Sequence, residues 1–136
     1  MTLRQGAPPH LSIIIPAYNE AERILPYLTE VTAYLKGRNL SSEVLVVDDG
    51  SRDRTATLVE KFQTEEPRVR LIRLAGNRGK GCAVRTGMRE AQGELRLFAD
   101  ADGATPIREL ERLEANIAQG ADIAIGSRFL ASRDSR

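Results

Sequence analysis

The sequence has no tryptophan, one cysteine and one histidine among its 136 residues. A lone Cys82 excludes an internal disulfide and any cysteine-rich zinc site. His10 sits in a proline-rich leader and cannot build a histidine-clustered metal centre, so any metal must be held by oxygen ligands. Aromatic residues reach only 4%, which argues against a platform on which sugars or bases stack. Neither sign of charge is in excess: 20 Lys+Arg against 19 Asp+Glu leave +1, and bulk charge makes no case for nucleic acid. Long apolar runs are missing too. Ile13-Ile14-Ile15 is a strand core, far short of a membrane span, and Met1 to Pro9 holds no apolar stretch of signal-peptide length. The chain reads as cytosolic and soluble, and any membrane association would come through parts outside it.

What is present is a core: 41% of residues are hydrophobic, on a length that suits one domain. Residues 1–10 read as a flexible leader, broken by Gly6, Pro8 and Pro9, and 131–136 as a tail. Between them, 11–130 alternates short β-branched runs with helical periodicity. Leu11 to Ile15, closed by Pro16, predicts a buried strand. Ile24, Leu28, Val31 and Leu35 share one face of a helix from about Glu20 to Lys36, ended by Gly37. Glu43 to Val47 is a second strand, followed by a helix from near Asp53 with Ala56, Val59 and Phe62 inward. Val69 to Leu74 is a third strand, and the helix after it runs to about Ala91 with Val84, Met88 and Ala91 on one face. Glu94 to Ala99 is a fourth strand, Thr105-Pro106 starts a fourth helix that Gly120 ends, and Asp122 to Ile125 is a fifth strand. This alternation predicts an α/β fold with a mostly parallel central sheet and helices on both faces.

In such sheets ligands bind beyond the carboxyl ends of the strands. Those ends carry Pro16-Ala17-Tyr18-Asn19-Glu20, Asp48-Asp49-Gly50-Ser51, the turn from Asn77 to Gly81, and Asp100-Ala101-Asp102. One edge therefore gathers carboxylates, a lysine and a tyrosine. Asp100 and Asp102, one residue apart just past a strand, suit one hard cation such as Mg²⁺ or Mn²⁺, or else cap the next helix. Asp48 and Asp49 have the same two readings, as acceptors for a nucleobase N–H or ribose hydroxyl, or as part of a turn in which Ser51 or Asp53 caps. Gly79-Lys80-Gly81 suits an anion at a helix start, and taken alone reads as an ordinary glycine turn with a solvated lysine. Arg78, Arg85 and Arg89 fit solvated helix charges, Tyr18 a core-edge aromatic, and Cys82 a small buried filler.

Taken together and in order, Ser12-Ile-Ile-Ile-Pro-Ala-Tyr-Asn-Glu20, Val47-Asp-Asp-Gly-Ser51, Asn77-Arg-Gly-Lys-Gly81 and Asp100-Ala-Asp-Gly-Ala-Thr105 resemble the family 2 glycosyltransferases of the GT-A type. The last run and Ile125-Gly-Ser-Arg-Phe129 are similar to the dolichyl-phosphate β-glucosyltransferases and related polyprenyl-phosphate enzymes. The resemblance covers roughly 11–130. It implies a Rossmann-like nucleotide-sugar-binding fold. It also implies that Pro16, Tyr18 and Glu20 line the nucleotide pocket, with Asp48, and with it Asp49, at the base or ribose and Lys80 near the nucleotide. Asp100 and Asp102 would hold Mg²⁺ or Mn²⁺ on the donor diphosphate, and Arg128 would meet a phosphate of donor or acceptor.

The implied reaction is inverting transfer of a hexose, glucose first and mannose second, from a nucleoside-diphosphate sugar to a polyprenyl or dolichyl phosphate. No catalytic base is assigned, since a phosphate acceptor is already anionic. The implied setting is the cytoplasm or the cytoplasmic face of a membrane. Members of the family run longer than this chain, which points to a truncated donor-binding part. The exposed end of an unfinished sheet would invite association of copies.

Two other enzyme classes fit worse. A haloacid-dehalogenase phosphatase needs a hydroxyl where Ala104 stands and carries its acidic motif after the first strand, not the fourth. A dinucleotide-binding oxidoreductase needs a G-x-G-x-x-G after the first strand, and none is there. A non-catalytic nucleotide-sugar-binding module stays open, and transfer of label from donor to lipid phosphate separates it from an enzyme.

Overall fold

The computed structural model describes residues 8–38, 41–101 and 125–126. The elements are β1 (Leu11–Ala17), α1 (Ile24–Arg38), β2 (Ser42–Asp48), α2 (Thr55–Glu65), β3 (Val69–Arg73), α3 (Lys80–Glu90), β4 (Leu95–Ala99) and β5 (Ile125–Gly126). They form one five-stranded sheet in the order β3-β2-β1-β4-β5. Every pairing is parallel. The expected fourth helix, the start of the fifth strand and the tail lie outside the described residues. Among the described residues no helix is long and apolar enough to cross a membrane.

The order has one reversal. The chain steps from β1 outward to β2 and β3, then returns past β1 to β4. Right-handed crossovers place helices on one face during the outward steps and on the other face after the return. The packing follows that rule. Ile13, Ile15, Val44 and Val46 meet Ile24, Leu28, Val31 and Leu35 of α1 and Val59 of α2. On the opposite face Ile14, Leu45 and Val47 meet Ala83 of α3, with Met88 and Phe98 packed alongside. All seven residues of β1 are buried, as expected of a strand covered on both faces. Each large aliphatic buried there contributes about 1.5–3 kcal/mol.

Local differences from the sequence reading have physical causes. Pro16 does not close β1, which continues to Ala17. Pairing of β1 with β4 ends at Ile14↔Phe98, whereas pairing with β2 runs on to Ala17↔Asp48. Pro16 therefore sits where β4 has already left, and its missing N–H leaves no ladder bond unmade on that side. Helix α1 begins at Ile24 rather than Glu20, because a helix started at Glu20 would put Pro26 in its interior. Arg23 and Ile24 instead donate their N–H groups to Glu20 O in a preceding turn. The helix also runs through Gly37 to Arg38. Within the expected leader, Pro9 O and His10 O accept the N–H groups of Glu94 and Leu95, so these residues already serve the first donors of β4.

Helix α3 is rotated by about one residue from the predicted face. Ala83 and Gly87 are its buried residues and Ala91 is buried as expected, while Val84, Met88 and Cys82 are only half-buried. A Cβ on Gly87 would overlap the side chain of Ile14, so the helix approaches β1 by presenting small residues. A buried polar tie lies at the opposite end of the sheet from the polar loops. Ser12 Oγ donates to Glu43 Oε2 at 2.6 Å, which also accepts Gln92 N, while Gly93 N donates to Ser12 Oγ.

These contacts set opposite signs for two glycine substitutions in helices. Gly37→Ala, with nothing within 4 Å of the new Cβ, should gain about 0.5–1 kcal/mol from helix propensity. Gly87→Ala should instead lose about 1–3 kcal/mol by overpacking against Ile14. Urea midpoints of the two variants against wild type check the signs.

Candidate functional site

Beyond the carboxyl ends of β1 and β4, where the strand order reverses, the two strands diverge and open a cleft of about 440 Å³. It is lined by Pro16, Ala17, Tyr18 and Glu20 from the end of β1 and the segment after it, and by Asp49, Asn77, Gly79, Lys80, Ala83, Asp100 and Ala101. Of the residues singled out from sequence, Pro16, Tyr18, Glu20, Asp49, Lys80 and Asp100 thus share one concavity. Asp48 is not among its lining. It is 2% exposed and lies behind Asp49, with Oδ2 accepting Ser51 N at 3.3 Å and Oδ1 without a hydrogen-bond partner among the described residues. Asp102 and Arg128 lie outside the described residues.

The loop after β2 holds the other two. Asp49 turns both carboxylate oxygens into the glycine-rich turn, accepting Arg78 N at 2.7 Å and Gly79 N at 2.9 Å. Gly50, at φ +74°, packs on the same turn, and a Cβ there would come within 2.5 Å of Gly76 C and 2.6 Å of Asn77 N. Only glycine meets both demands. On the other flank the loop is laced to the segment after β1. Asn19 N donates to Ser51 Oγ at 2.8 Å and Arg52 N to Asn19 Oδ1 at 2.9 Å. Glu20 N donates to Thr55 Oγ1 at 2.8 Å and Ala21 N to Asp53 Oδ2 at 3.2 Å. Asn19 adopts φ 54°, a left-handed conformation that asparagine tolerates.

Sequence reasoning missed this lacing. It took Asp53 and Ser51 only as helix caps, yet Arg54 is the cap residue of α2 and makes no side-chain cap bond. The signal available was the asparagine and the Asp-x-Thr of 53–55 beside two strand ends, both common users of side-chain-to-backbone bonds. Burial works against the charge on Asp53. The hydroxyl and N–H of Thr55 and the N–H of Ala21 outweigh it and hold the carboxyl below its usual range.

Charge in the cleft is paired. Arg23 Nε donates to Glu20 Oε1 at 2.7 Å. Lys80, the first residue of α3, donates through Nζ to Asp100 Oδ1 at 2.5 Å and lies 5.9 Å from the centroid of the Phe98 ring. Helix α3 opens at Gly79, φ +99°, with no side-chain cap. A helix start without a side-chain cap among the described residues suits an anion entering the cleft. Among the described residues no three carboxylates, histidines or cysteines cluster as a metal site. Asp100, like Glu20, already draws a cation within the cleft, and its oxygen chemistry suits a hard divalent ion.

The family model described as Glycosyl transferase family 2 matches residues 12–136. The chain is 42% identical over 138 residues to a dolichyl-phosphate beta-glucosyltransferase of Drosophila melanogaster, covering 92% of this chain and 42% of that one. It is 41% identical over 114 residues to the Homo sapiens protein of the same name, covering 79% and 35%. Among solved structures it resembles a mannosyltransferase from Pyrobaculum calidifontis in complex with GDP-Man and Mn²⁺, with TM-score 0.63 and 32% identity over 75% of this chain and 30% of that one. It also resembles S. aureus TarS 1-349 in complex with UDP-GlcNAc, with TM-score 0.60 and 31% identity over 81% of this chain and 31% of that one. The chain belongs to glycosyltransferase family 2 and has the α/β fold of the GT-A enzymes. It spans about two fifths or less of the length of these curated relatives.

The depressed Asp53 carboxyl gives a signed pH test. A group whose pKa is lowered on folding adds stability above its unfolded value, and that stability fades as pH falls through the folded value. Asp53→Asn should therefore be less stable than wild type at neutral pH. The gap in urea midpoint should close as pH drops below about 3.8, the ordinary value. A pH-independent gap would mean that the carboxylate charge is not what ties Ala21 and Thr55.

Proposed function

We propose that the cleft is the donor site of an inverting, metal-dependent glycosyltransferase that moves glucose from a nucleoside-diphosphate sugar to a dolichyl or other polyprenyl phosphate. The observation that carries the reading is the Lys80–Asp100 pair at the mouth of an uncapped helix, inside the cleft where β1 and β4 diverge. The name shared by the relatives supports the sugar and the acceptor. The nucleotide sugars in the two similar structures support the donor class, and the Mn²⁺ in one of them supports a divalent cation.

The nucleoside lies against Pro16, Tyr18 and Glu20. Asp49 offers the second lone pairs of its two oxygens to a base or ribose donor, with Asp48 behind it. The diphosphate meets the first N–H groups of α3 and the ammonium of Lys80. Asp100, together with Asp102, would hold Mg²⁺ or Mn²⁺, which when bound supplies neutralisation of charge developing on the leaving diphosphate. Arg128 would meet a phosphate of donor or acceptor. The acceptor phosphate oxygen attacks the anomeric carbon opposite the leaving group. It carries its charge already, so no residue is assigned as base. Attachment to the cytoplasmic face of a membrane belongs to the same reading and depends on segments beyond this chain.

A second donor has a specific observation behind it, because a similar structure holds GDP-Man. Calorimetric titration with UDP-glucose and GDP-mannose, each with and without Mn²⁺, decides between them. The expected result is Mn²⁺-dependent binding of UDP-glucose, weakened about tenfold or more in Asp102→Ala. Preference for GDP-mannose would replace the sugar and keep the site. Binding of neither by a folded chain would overturn the donor site itself.

A further inference from the structure

We infer that Lys80 is a resident counter-cation for Asp100: it occupies the carboxylate while no metal is bound, and an arriving divalent cation displaces it toward the donor diphosphate. The inference deepens the donor-site reading above and rests on it.

Three observations converge. First, the ammonium contacts Asp100 Oδ1 at 2.5 Å and also lies over the Phe98 ring, so its resting position is defined by two groups. Second, the pair is unequal in exposure, 57% for the lysine side chain against 24% for the aspartate. The lysine can swing outward, whereas the aspartate is held at the cleft wall. Third, Lys80 begins α3, so a swing about its own side-chain bonds keeps the ammonium beside the uncapped N–H groups of that helix.

A divalent ion arriving at Asp100 brings two positive charges close to the ammonium already on that carboxylate. Carboxylate oxygens lie about 2.0–2.1 Å from Mg²⁺, and the two cations repel. The doubly charged ion wins the carboxylate, while exposed lysine–carboxylate pairs are weak enough to give way. The four-carbon stem lets the ammonium move without any change in the backbone. Once displaced, it finds its next anion at the start of α3, where the diphosphate is placed. Metal and donor then favour each other through a single side chain with two positions, and the coupling is reciprocal. Asp49 sets the geometry, because its two bonds to Arg78 N and Gly79 N fix the turn that delivers Lys80.

The test uses the intact chain, with Mn²⁺ binding read from paramagnetic broadening of backbone amide signals around Asp100, which reports weak binding directly. Wild type, Lys80→Met and Arg78→Met are titrated with Mn²⁺ alone and then with UDP in the presence of Mn²⁺. Arg78 is exposed and lies in the same turn, so its variant controls for simple loss of a positive charge. Lys80→Met should bind Mn²⁺ alone about two- to fivefold more tightly than wild type, yet bind UDP about tenfold or more weakly. Arg78→Met should leave the affinity for Mn²⁺ alone unchanged.

Unchanged or weaker Mn²⁺ binding by Lys80→Met, or an equal gain in Arg78→Met, would overturn the inference while wild-type binding of Mn²⁺ and UDP left the donor site standing. A wild-type chain, folded by its amide spectrum, that binds neither Mn²⁺ nor UDP would overturn both.

Discussion

The site depends on one carboxylate that faces inward. Asp49 gives both oxygens to consecutive backbone N–H groups, those of Arg78 and Gly79. A buried charge is tolerated only when hydrogen-bonded, and a turn with unpaired donors is equally costly. Each therefore answers the other's need. The same loop grips Asn19, Glu20 and Ala21 through Ser51, Thr55 and Asp53. Three strand ends are thus held in one frame, and Asp49 and Gly50 form its joint with the turn that starts α3. Position in that frame decides where Lys80 points.

The cleft itself comes from topology. A sheet that grew in one direction only would keep its neighbouring strand ends side by side. Here the chain returns past β1, and the ends of β1 and β4 part after Ile14↔Phe98. Pro16 belongs to this parting, since its missing N–H falls where no strand is left to accept from it. The small residues Ala83 and Gly87 bring α3 down onto Ile14, which sets its N-terminus against the opening. A larger residue at 87 would push the helix, and with it the end that lines the cleft, away from the sheet. Packing on one face and binding at the edge are therefore a single geometric problem.

Electrostatics in the cleft is balanced rather than one-sided. Glu20 is paired with Arg23, Asp49 with backbone donors, and Asp100 with Lys80. In both ion pairs the cation is the more exposed partner, and exposed pairs of this kind are weak. The similar mannosyltransferase structure is in complex with GDP-Man and Mn²⁺, so a fold of this kind accommodates phosphate charge and a divalent cation in that protein.

Much of this was readable along the chain. The strand runs were legible because burial on both faces leaves continuous apolar stretches such as Ile13-Ile14-Ile15. The polar motifs at the strand ends were legible because parallel strands point the same way, so residues far apart in sequence must share one edge. Periodicity could not tell that α3 turns Ala83 and Gly87 inward instead of Val84 and Met88, because small residues carry little hydrophobic signal and the choice rests on contact with Ile14. Nor could it separate the two neighbours Asp48 and Asp49, of which one lines the cleft and clamps a turn while the other is buried behind it. Local sequence determined which segments form strands and helices and which residue types gather at one edge, because those follow from short-range pattern and strand direction. The tertiary structure alone decided which carboxylate braces a loop and which meets a cation, because partners 20 to 30 positions apart are chosen by how the loops pack together.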